Sequence, residues 1–183
     1  MAKILPSLGY ANSPVGITLR NASAVSQTPA AATRTVITGS KLQVPPTLLR
    51  AGSKYKCRFN MTKTAAGTAT STIDVAIGVA GTTADTAQLS FTKPAGTAAA
   101  DEAINEVVVV VRTAGASGVL TGEYSMSHNL AATGHAQIPS VNVNVVSGTV
   151  DLSVDDLFLS VCLTSGAADA ITINVVETEL TNV

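Results

Sequence analysis

Tryptophan is absent from the sequence, and aromatic residues make up only 3% of its 183 residues. Because 46% of the chain is nevertheless hydrophobic, the volume of a core must come from valine, isoleucine, leucine and alanine. Valine, isoleucine and threonine carry two heavy atoms on Cβ, which favours a pleated strand over a helix. The composition therefore favours an all-β domain.

Charged residues are also scarce, at 13% of the chain, whereas soluble domains average roughly 25%. The mean hydropathy is +0.36, yet no apolar run is long enough to cross a membrane. Because monomers seldom expose large apolar patches, part of the surface is expected to be buried against other copies of the chain. We therefore predict a homo-oligomer that has no membrane partner.

The sequence contains no cluster of basic residues, and its formal net charge is −1. A nucleic-acid surface needs clustered lysine and arginine to meet the phosphates, so no nucleic-acid partner is expected. A glycan-cleaving site is disfavoured as well. Glu102, Glu106 and Glu123 offer carboxylates, but a bound sugar would lack flat aromatic rings to stack on.

Cys57 and Cys162 are the two cysteines, and residues 1–10 lack an apolar stretch of the length that a secretory signal needs. Synthesis in the cytoplasm is therefore the expectation. The two cysteines lie in different predicted strands and could meet across a sandwich, but a reducing compartment favours buried free thiols over a disulfide.

The pattern along the chain divides it into an arm and a domain. Residues 2–33 are rich in alanine, serine, threonine, asparagine and proline without a sustained period, which predicts an extended or irregular N-terminal arm over residues 1–33. Such an arm either lies on a partner or is merely a floppy terminus. An alternating pattern begins near residue 35 and continues to the C-terminus, which places the domain at residues 34–183.

Alternation is clearest at Tyr55, Cys57, Phe59 and Met61, which are separated by lysine, arginine and asparagine. Residues 107–111 are all valine and predict a central strand covered on both faces, one of them by another subunit. Residues 98–106 are the one stretch that could hold a helical turn. On the order of eight to ten strands joined by turns predict an antiparallel β-sandwich, most simply a jelly roll.

Two histidines, His128 and His135, flank a polar loop. Together with Ser127 they could be drawn as a nucleophile and a base, but no nucleophile motif surrounds them. The preferred interpretation is a loop at one end of the sandwich that contacts a partner and responds to pH. The residues of this predicted contact loop are Ser127, His128, Asn129 and His135.

Other polar residues also lack the spacing of a dedicated site. Asp151, Asp155, Asp156 and Asp169 could offer oxygen ligands to calcium, but they lack a glycine-containing calcium loop. The glycine-rich residues 78–83 lack the lysine and helix of a nucleotide loop and predict a turn. The sequence therefore predicts no catalytic residue, no cofactor and no metal site, and the chain is not expected to be an enzyme.

Four segments nevertheless resemble a known group of proteins. Residues 50–59, 77–86, 111–113 and 127–130 are similar to small β-structured virion proteins of tailed bacteriophages. In that group, jelly-roll domains form trimers and serve as capsid decoration or cement proteins, or as the heads of fibres. None of the group's functional residues can be carried over, because the shared positions are turn and core positions.

The resemblance implies a homotrimer on the capsid surface of a virion, with the major capsid protein as its partner. A fibre protein normally carries a long shaft before its head, whereas only a short arm precedes this domain, so a capsid role is favoured. The alternative is a receptor-binding head or tail fibre domain. In that case the loops at residues 127–135 and 151–156 would contact a glycan on the host surface.

Overall fold

The protein consists of strands and their connections throughout the residues that the computed structural model describes, which are 17–45, 48–130, 133–138, 140–166 and 170–182. In chain order the strands are β1 (Thr18–Ser23), β2 (Thr35–Val36), β3 (Leu42–Val44), β4 (Lys54–Lys63), β5 (Ser71–Gly78), β6 (Thr86–Lys93), β7 (Asp101–Thr113), β8 (Val119–His128), β9 (Ser140–Val146), β10 (Leu157–Thr164), β11 (Ile171–Thr172) and β12 (Val176–Thr181). No helix within these ranges is long and apolar enough to cross a membrane.

The strands form two antiparallel sheets. The larger sheet has the order β1-β12-β4-β7-β8-β9, and β11 pairs with the end of β4. The smaller sheet has the order β2-β10-β5-β6, and β3 also pairs with β10. Every strand pair is antiparallel. The predicted all-β class is confirmed.

The chain passes between the sheets in the order of a jelly roll. In the larger sheet the first strand, β1, lies beside the last, β12, while β4 lies beside β7. In the smaller sheet the early strands β2 and β3 lie beside β10, and β5 pairs with β6. Double-sheet jelly rolls wind their strands in this way. The hairpin of β8 and β9 is an addition that widens the larger sheet, and the predicted jelly-roll sandwich is confirmed.

Alternate residues of the strands build one core between the sheets. Along β4, Tyr55, Cys57, Phe59 and Met61 are at most 1% exposed, which confirms the alternation predicted from the sequence. Each fully buried side chain of this kind contributes about 1.5–3 kcal/mol. Because these side chains are buried in the core, the intervening lysines and arginine of β4 lie on the opposite, outward face.

The valine run of β7 is central in the larger sheet, as predicted, but its two faces differ. Val107, Val109 and Val111 are at most 3% exposed, whereas Val108 and Val110 are only partly buried. Among the described residues the larger sheet has a packed layer on one face alone, so the expected cover on the second face is not supplied by this part of the chain. The helical turn suggested for residues 98–106 is also wrong, since β7 begins at Asp101.

The described part of the predicted arm, residues 17–33, contributes strand β1 to the larger sheet. Thr18 pairs with Thr181, and Ser23 pairs with Val176. A second contact joins Gln27 and Ile173 through two backbone hydrogen bonds of 2.9 Å. Hydrogen bonds to β12 hold this polar strand more than side-chain burial does, so it leaves no alternating signal. The rest of the predicted arm, residues 1–16, lies outside the described residues.

Candidate functional site

Asp101, the first residue of β7, forms hydrogen bonds with several polar groups at one end of the sandwich. Its Oδ2 lies 2.8 Å from Nδ1 of His128 and accepts a 2.9 Å hydrogen bond from the backbone N–H of His135. Its Oδ1 accepts from the N–H groups of Glu102 and Leu130, at 2.8 and 3.3 Å. One carboxylate thus fixes the loop that follows β8.

The side chain of Asp101 is fully buried. Burial by itself raises the pKa of Asp101, but the hydrogen bonds from His135, Glu102 and His128 outweigh it, so the pKa lies below its ordinary value. The close packing extends to Gly134, where a Cβ atom would lie 2.1 Å from Oδ2 of Asp101. Asp101 therefore stays ionised, and the loop backbone has closed around it.

His128 bridges two acceptors. Its Nδ1 faces the carboxylate of Asp101, and its Nε2 faces the carbonyl oxygen of Ile138. His128 thereby links the start of β7 to the segment that precedes β9. Ser127 precedes His128 on β8 and is exposed on the outer face. Because neighbouring strand residues point to opposite faces, the two do not form a nucleophile and base.

His135 is fully buried, and its Nε2 lies 3.0 Å from the carbonyl oxygen of Met61. Among the described residues its Nδ1 has no hydrogen-bond partner, which fits a neutral ring with its proton on Nε2. Burial lowers the pKa of His135 to about 4, and the positive charge of Lys93 adds to this effect. His135 is therefore an uncharged, buried side chain at this end of the sandwich.

Two buried lysines complete what we call the histidine cluster, defined as Lys63, Lys93, Asp101, His128 and His135. The ammonium of Lys63 donates to the carbonyl oxygens of Thr64, Ala66 and Thr97 at 3.3, 3.2 and 2.7 Å. That of Lys93 donates to Pro94 and His135 at 2.9 and 2.7 Å. Each lysine is at most 5% exposed, so its charge is used to hold loop carbonyls.

The low pKa of His135 predicts that the protein loses stability in mild acid. The unfolded chain binds a proton near the ordinary histidine pKa of 6.5, whereas the folded chain does so only near pH 4. Stability is therefore complete above pH 6.5 and is lost as the pH falls towards 4, by about 2 kcal/mol between pH 7 and pH 5. Urea unfolding at several pH values measures this. His135→Gln should flatten the slope in that window, and an unchanged slope in the variant would assign it to other groups.

A second polar cluster lies on the outer face of the smaller sheet, and we call it the arginine clasp, defined as Arg34, Asp74 and Asp85. The guanidinium of Arg34 donates to both carboxylate oxygens of Asp74, at 3.0 and 2.6 Å. It also donates to the carbonyl oxygens of Thr83 and Asp85, at 2.7 and 2.9 Å. Arg34 thus ties the segment before β2 to the turn between β5 and β6.

The turn itself is closed by Asp85, which is 6% exposed. Its carboxylate accepts hydrogen bonds from the N–H groups of Ala80 and Gly81, at 3.0 and 2.7 Å. A Cβ atom at Gly78 would lie 2.2 Å from Oδ1 of Asp85, so glycine is required where the turn begins. The glycine-rich residues 78–83 are the turn that the sequence predicted.

The outer face of the larger sheet carries charges of both signs on neighbouring strands. An open depression of about 680 Å³ on this face is lined by Arg20, Asn21, Ala22, Lys56, Arg58, Glu177, Thr178 and Glu179. Beside it, Ile104 and Val175 are 48% and 47% exposed. From here on, the outer face means this surface of the larger sheet. It combines apolar side chains with charged ones.

The four residues of the predicted contact loop differ in exposure. Ser127 and Asn129 are exposed, whereas the side chains of His128 and His135 are buried and both residues bond to Asp101. Asp101, Lys63 and Lys93 were not singled out from the sequence, although they hold this loop in place.

The remaining candidates have structural surroundings. Asp151, Asp155 and Asp156 are exposed, Asp151 bonds to Ser153, and Asp169 lies outside the described residues. No group of three or more histidine, cysteine or acidic side chains within the described ranges is arranged to hold a metal ion.

The two cysteines are buried and unpaired with each other, as expected. Cys57 points into the core, whereas Cys162 alternates with the core-facing residues of β10. Burial raises the pKa of Cys57 to about 12 and that of Cys162 to about 11. Both thiols are therefore inert structural groups.

No protein-family model matches the chain, and no curated protein matches it. One similar solved structure is the CBM2 module of the evolved Dit of Lactobacillus casei BL23 phage J-1, which is 9% identical with a TM-score of 0.32. The likeness covers 85% of this chain and 77% of that chain. At this level it decides nothing about function, which has to be inferred from the chain's own residues.

Proposed function

We propose that this chain is a structural protein of a bacteriophage particle, namely a decoration or cement protein that binds the assembled head. The observation that carries the proposal is the use of buried charge. Asp101 and the two lysines of the histidine cluster, like Arg34 of the arginine clasp, bond to the backbone of loops. Such bonds make a rigid scaffold, which suits a protein that acts through its surface.

The outer face of the larger sheet is the surface that best suits contact with a coat protein. Its half-exposed Ile104 and Val175 lie beside Arg58 and Glu177, and apolar contacts surrounded by charges are typical of protein interfaces. A protein that binds only the assembled head stabilises it by mass action. The role is to strengthen contacts between coat subunits, without a chemical step.

Binding to assembled heads that lack this chain tests the proposal, with sedimentation of the complex as the measurement. Ile104→Lys places a charge in the apolar part of the outer face and should weaken binding at least tenfold, since a buried unpaired charge costs several kcal/mol. Val79→Lys is the matched control, because Val79 is 62% exposed in the turn after β5 on the other sheet. Equal binding by both variants would exclude the outer face, and no binding by the wild type would exclude the proposed role.

The alternative from the sequence, recognition of a host glycan, receives less support from the structure. Sugars are commonly bound against exposed aromatic rings, because the ring presents a flat apolar surface. Of the aromatic residues that the structure describes, Tyr55, Phe59, Phe91 and Tyr124 are at most 1% exposed, and Phe158 is partly buried with the ammonium of Lys41 5.4 Å from its ring centroid. Binding of the purified protein to host cells but not to heads would favour this alternative.

A further inference from the structure

The last strand of the larger sheet, β9, has a free edge. One side of β9 pairs with β8 over its whole length, from Thr121 opposite Val146 to Ser127 opposite Ser140. On its other side no strand among the described residues pairs with it, although β6 of the smaller sheet packs close to β9. Within the described ranges, the backbone N–H and C=O groups on that side of β9 therefore have no strand partner.

This edge lacks the features by which proteins usually protect one. Edge strands are commonly guarded by charged side chains, by proline or by bulges. The sequence of β9 is Ser-Val-Asn-Val-Asn-Val-Val, without a charge or a proline, and its register with β8 has no bulge. At the opposite edge, β1 carries Arg20. Of the two edges of the larger sheet, the one without a charged residue is thus β9.

The hydrogen bonds between β8 and β9 show which residues of β9 direct their backbone groups away from β8. The N–H of Ser147 donates to the carbonyl oxygen of Leu120 at 3.0 Å, so this residue is bonded towards β8. Because hydrogen-bonded and non-hydrogen-bonded positions alternate in an antiparallel pair, the backbone groups of every second residue point away from β8. These are Ser140, Asn142, Asn144 and Val146, and all of them have exposed side chains.

The sequence of this edge is symmetric. Residues 141–145 read Val-Asn-Val-Asn-Val in both directions. If two copies of β9 meet antiparallel about Val143, Asn142 of one lies opposite Asn144 of the other, and valine lies opposite valine. The residues whose backbone groups point away from β8 then lie opposite each other in the two strands. Their N–H and C=O groups can therefore pair in this register. Val143 and Val145, which are partly exposed in one copy, gain cover.

We propose that the free edge of β9 binds β9 of a second copy of this chain, antiparallel about Val143, so that the two larger sheets form one continuous sheet. The palindromic sequence and the absence of charge favour this occupant over a foreign strand, because asparagine then lies opposite asparagine and valine opposite valine across residues 141–145. The contact gives a dimer, which differs from the trimer implied by the resemblance to virion proteins. It does not depend on the proposed role on the phage head.

Charge substitutions test both the contact and its register, with mass by sedimentation velocity as the readout. The wild type should have twice the chain mass of 18.4 kDa. Asn142→Lys with Asn144→Lys places like charges opposite each other and should raise the dissociation constant at least tenfold. Asn142→Lys with Asn144→Glu places opposite charges together and should keep the dimer. Circular dichroism verifies the fold of each variant.

Ala22→Lys on the opposite edge strand, β1, is the control for added charge and should leave the dimer unchanged, since Ala22 is exposed there. A wild type that sediments as a monomer or as a trimer would overturn the proposal. So would a dimer that survives the lysine pair, or one that the lysine and glutamate pair abolishes, because either result is inconsistent with Asn142 lying opposite Asn144.

Discussion

Replacing Arg34 with alanine is expected to lower the free energy of unfolding by about 3–5 kcal/mol, because it leaves a buried carboxylate without its partner. The side chain of Asp74 is 5% exposed and accepts two hydrogen bonds from Arg34. The hydrogen bond with Asp74 is also the main reason why the pKa of Arg34 is raised, although burial partly opposes it. The carbonyl oxygens of Thr83 and Asp85 lose a donor as well.

Urea unfolding measures this effect, and three further variants locate its cause. Arg34→Lys keeps the charge but loses the two-pronged geometry, so an intermediate loss is expected. Arg34→Ala combined with Asp74→Ala should cost less than the sum of the single changes, since no unpaired charge is left. Lys56→Ala breaks the more exposed ion pair with Glu106, 2.8 Å long, and should cost about 1 kcal/mol or less. Equal effects of Arg34→Ala and Lys56→Ala would contradict a buried clasp.

Asp101→Ala is expected to have an effect of similar size, about 3–5 kcal/mol, and to loosen one end of the sandwich. The change removes the acceptor of four groups, which are His128 Nδ1 and the N–H groups of Glu102, Leu130 and His135. Buried donors that lose their acceptor retain the full cost of desolvation. Hydrogen exchange should therefore become faster in the backbone after β8, while the smaller sheet keeps its protection.

Asp151→Ala is the matched control for Asp101→Ala. Asp151 is an exposed aspartate whose carboxylate bonds locally to Ser153, so its removal should leave the urea midpoint nearly unchanged. Uniform changes in hydrogen exchange across both sheets in Asp101→Ala would indicate that the whole fold loosens, and would contradict a local role of Asp101.

The lowered pKa of Asp101 also predicts that the wild-type protein loses stability as the pH falls below 3.8, the ordinary pKa of aspartate. Because the pKa of Asp101 is lower in the folded than in the unfolded chain, folding is stabilised only while the carboxylate is ionised.

Much of the fold follows from alternation in the sequence. Tyr55 and Phe59 could be assigned to the core because they alternate with charged residues along one strand. The runs ending at Pro94 and at residues 115–118 mark turns, since glycine and proline interrupt the ladders there. A sandwich results because strands of this kind can bury only one face each.

Other features of the fold could not be predicted from the sequence, because they depend on pairing between strands that are far apart along the chain. Strand β1 has only polar and small residues beside Leu19, so hydrogen bonds to the far end of the chain decide its place. Val108 and Val110 look like core residues within a run of valines, and only the sheet's single packed face shows that they point outward.

The histidine cluster could be predicted only in part. His128 and His135 were expected in one loop, but Asp101 lies 27 residues before His128. Counting back along both strands from the turn at residues 114–118 would have placed Asp101 opposite the loop after His128, since the two strands form a hairpin. The burial of Lys63 and Lys93 had no such signal, because it depends on loops from several strands.

The most direct test of a role on the phage head is cryo-electron microscopy of the intact particle. The proposed function predicts that density for this jelly roll lies on the outer surface of the shell, where coat subunits meet, with the outer face of the larger sheet turned towards the coat protein. Density at a fibre or tail tip, or its absence from the particle, would contradict the proposed function.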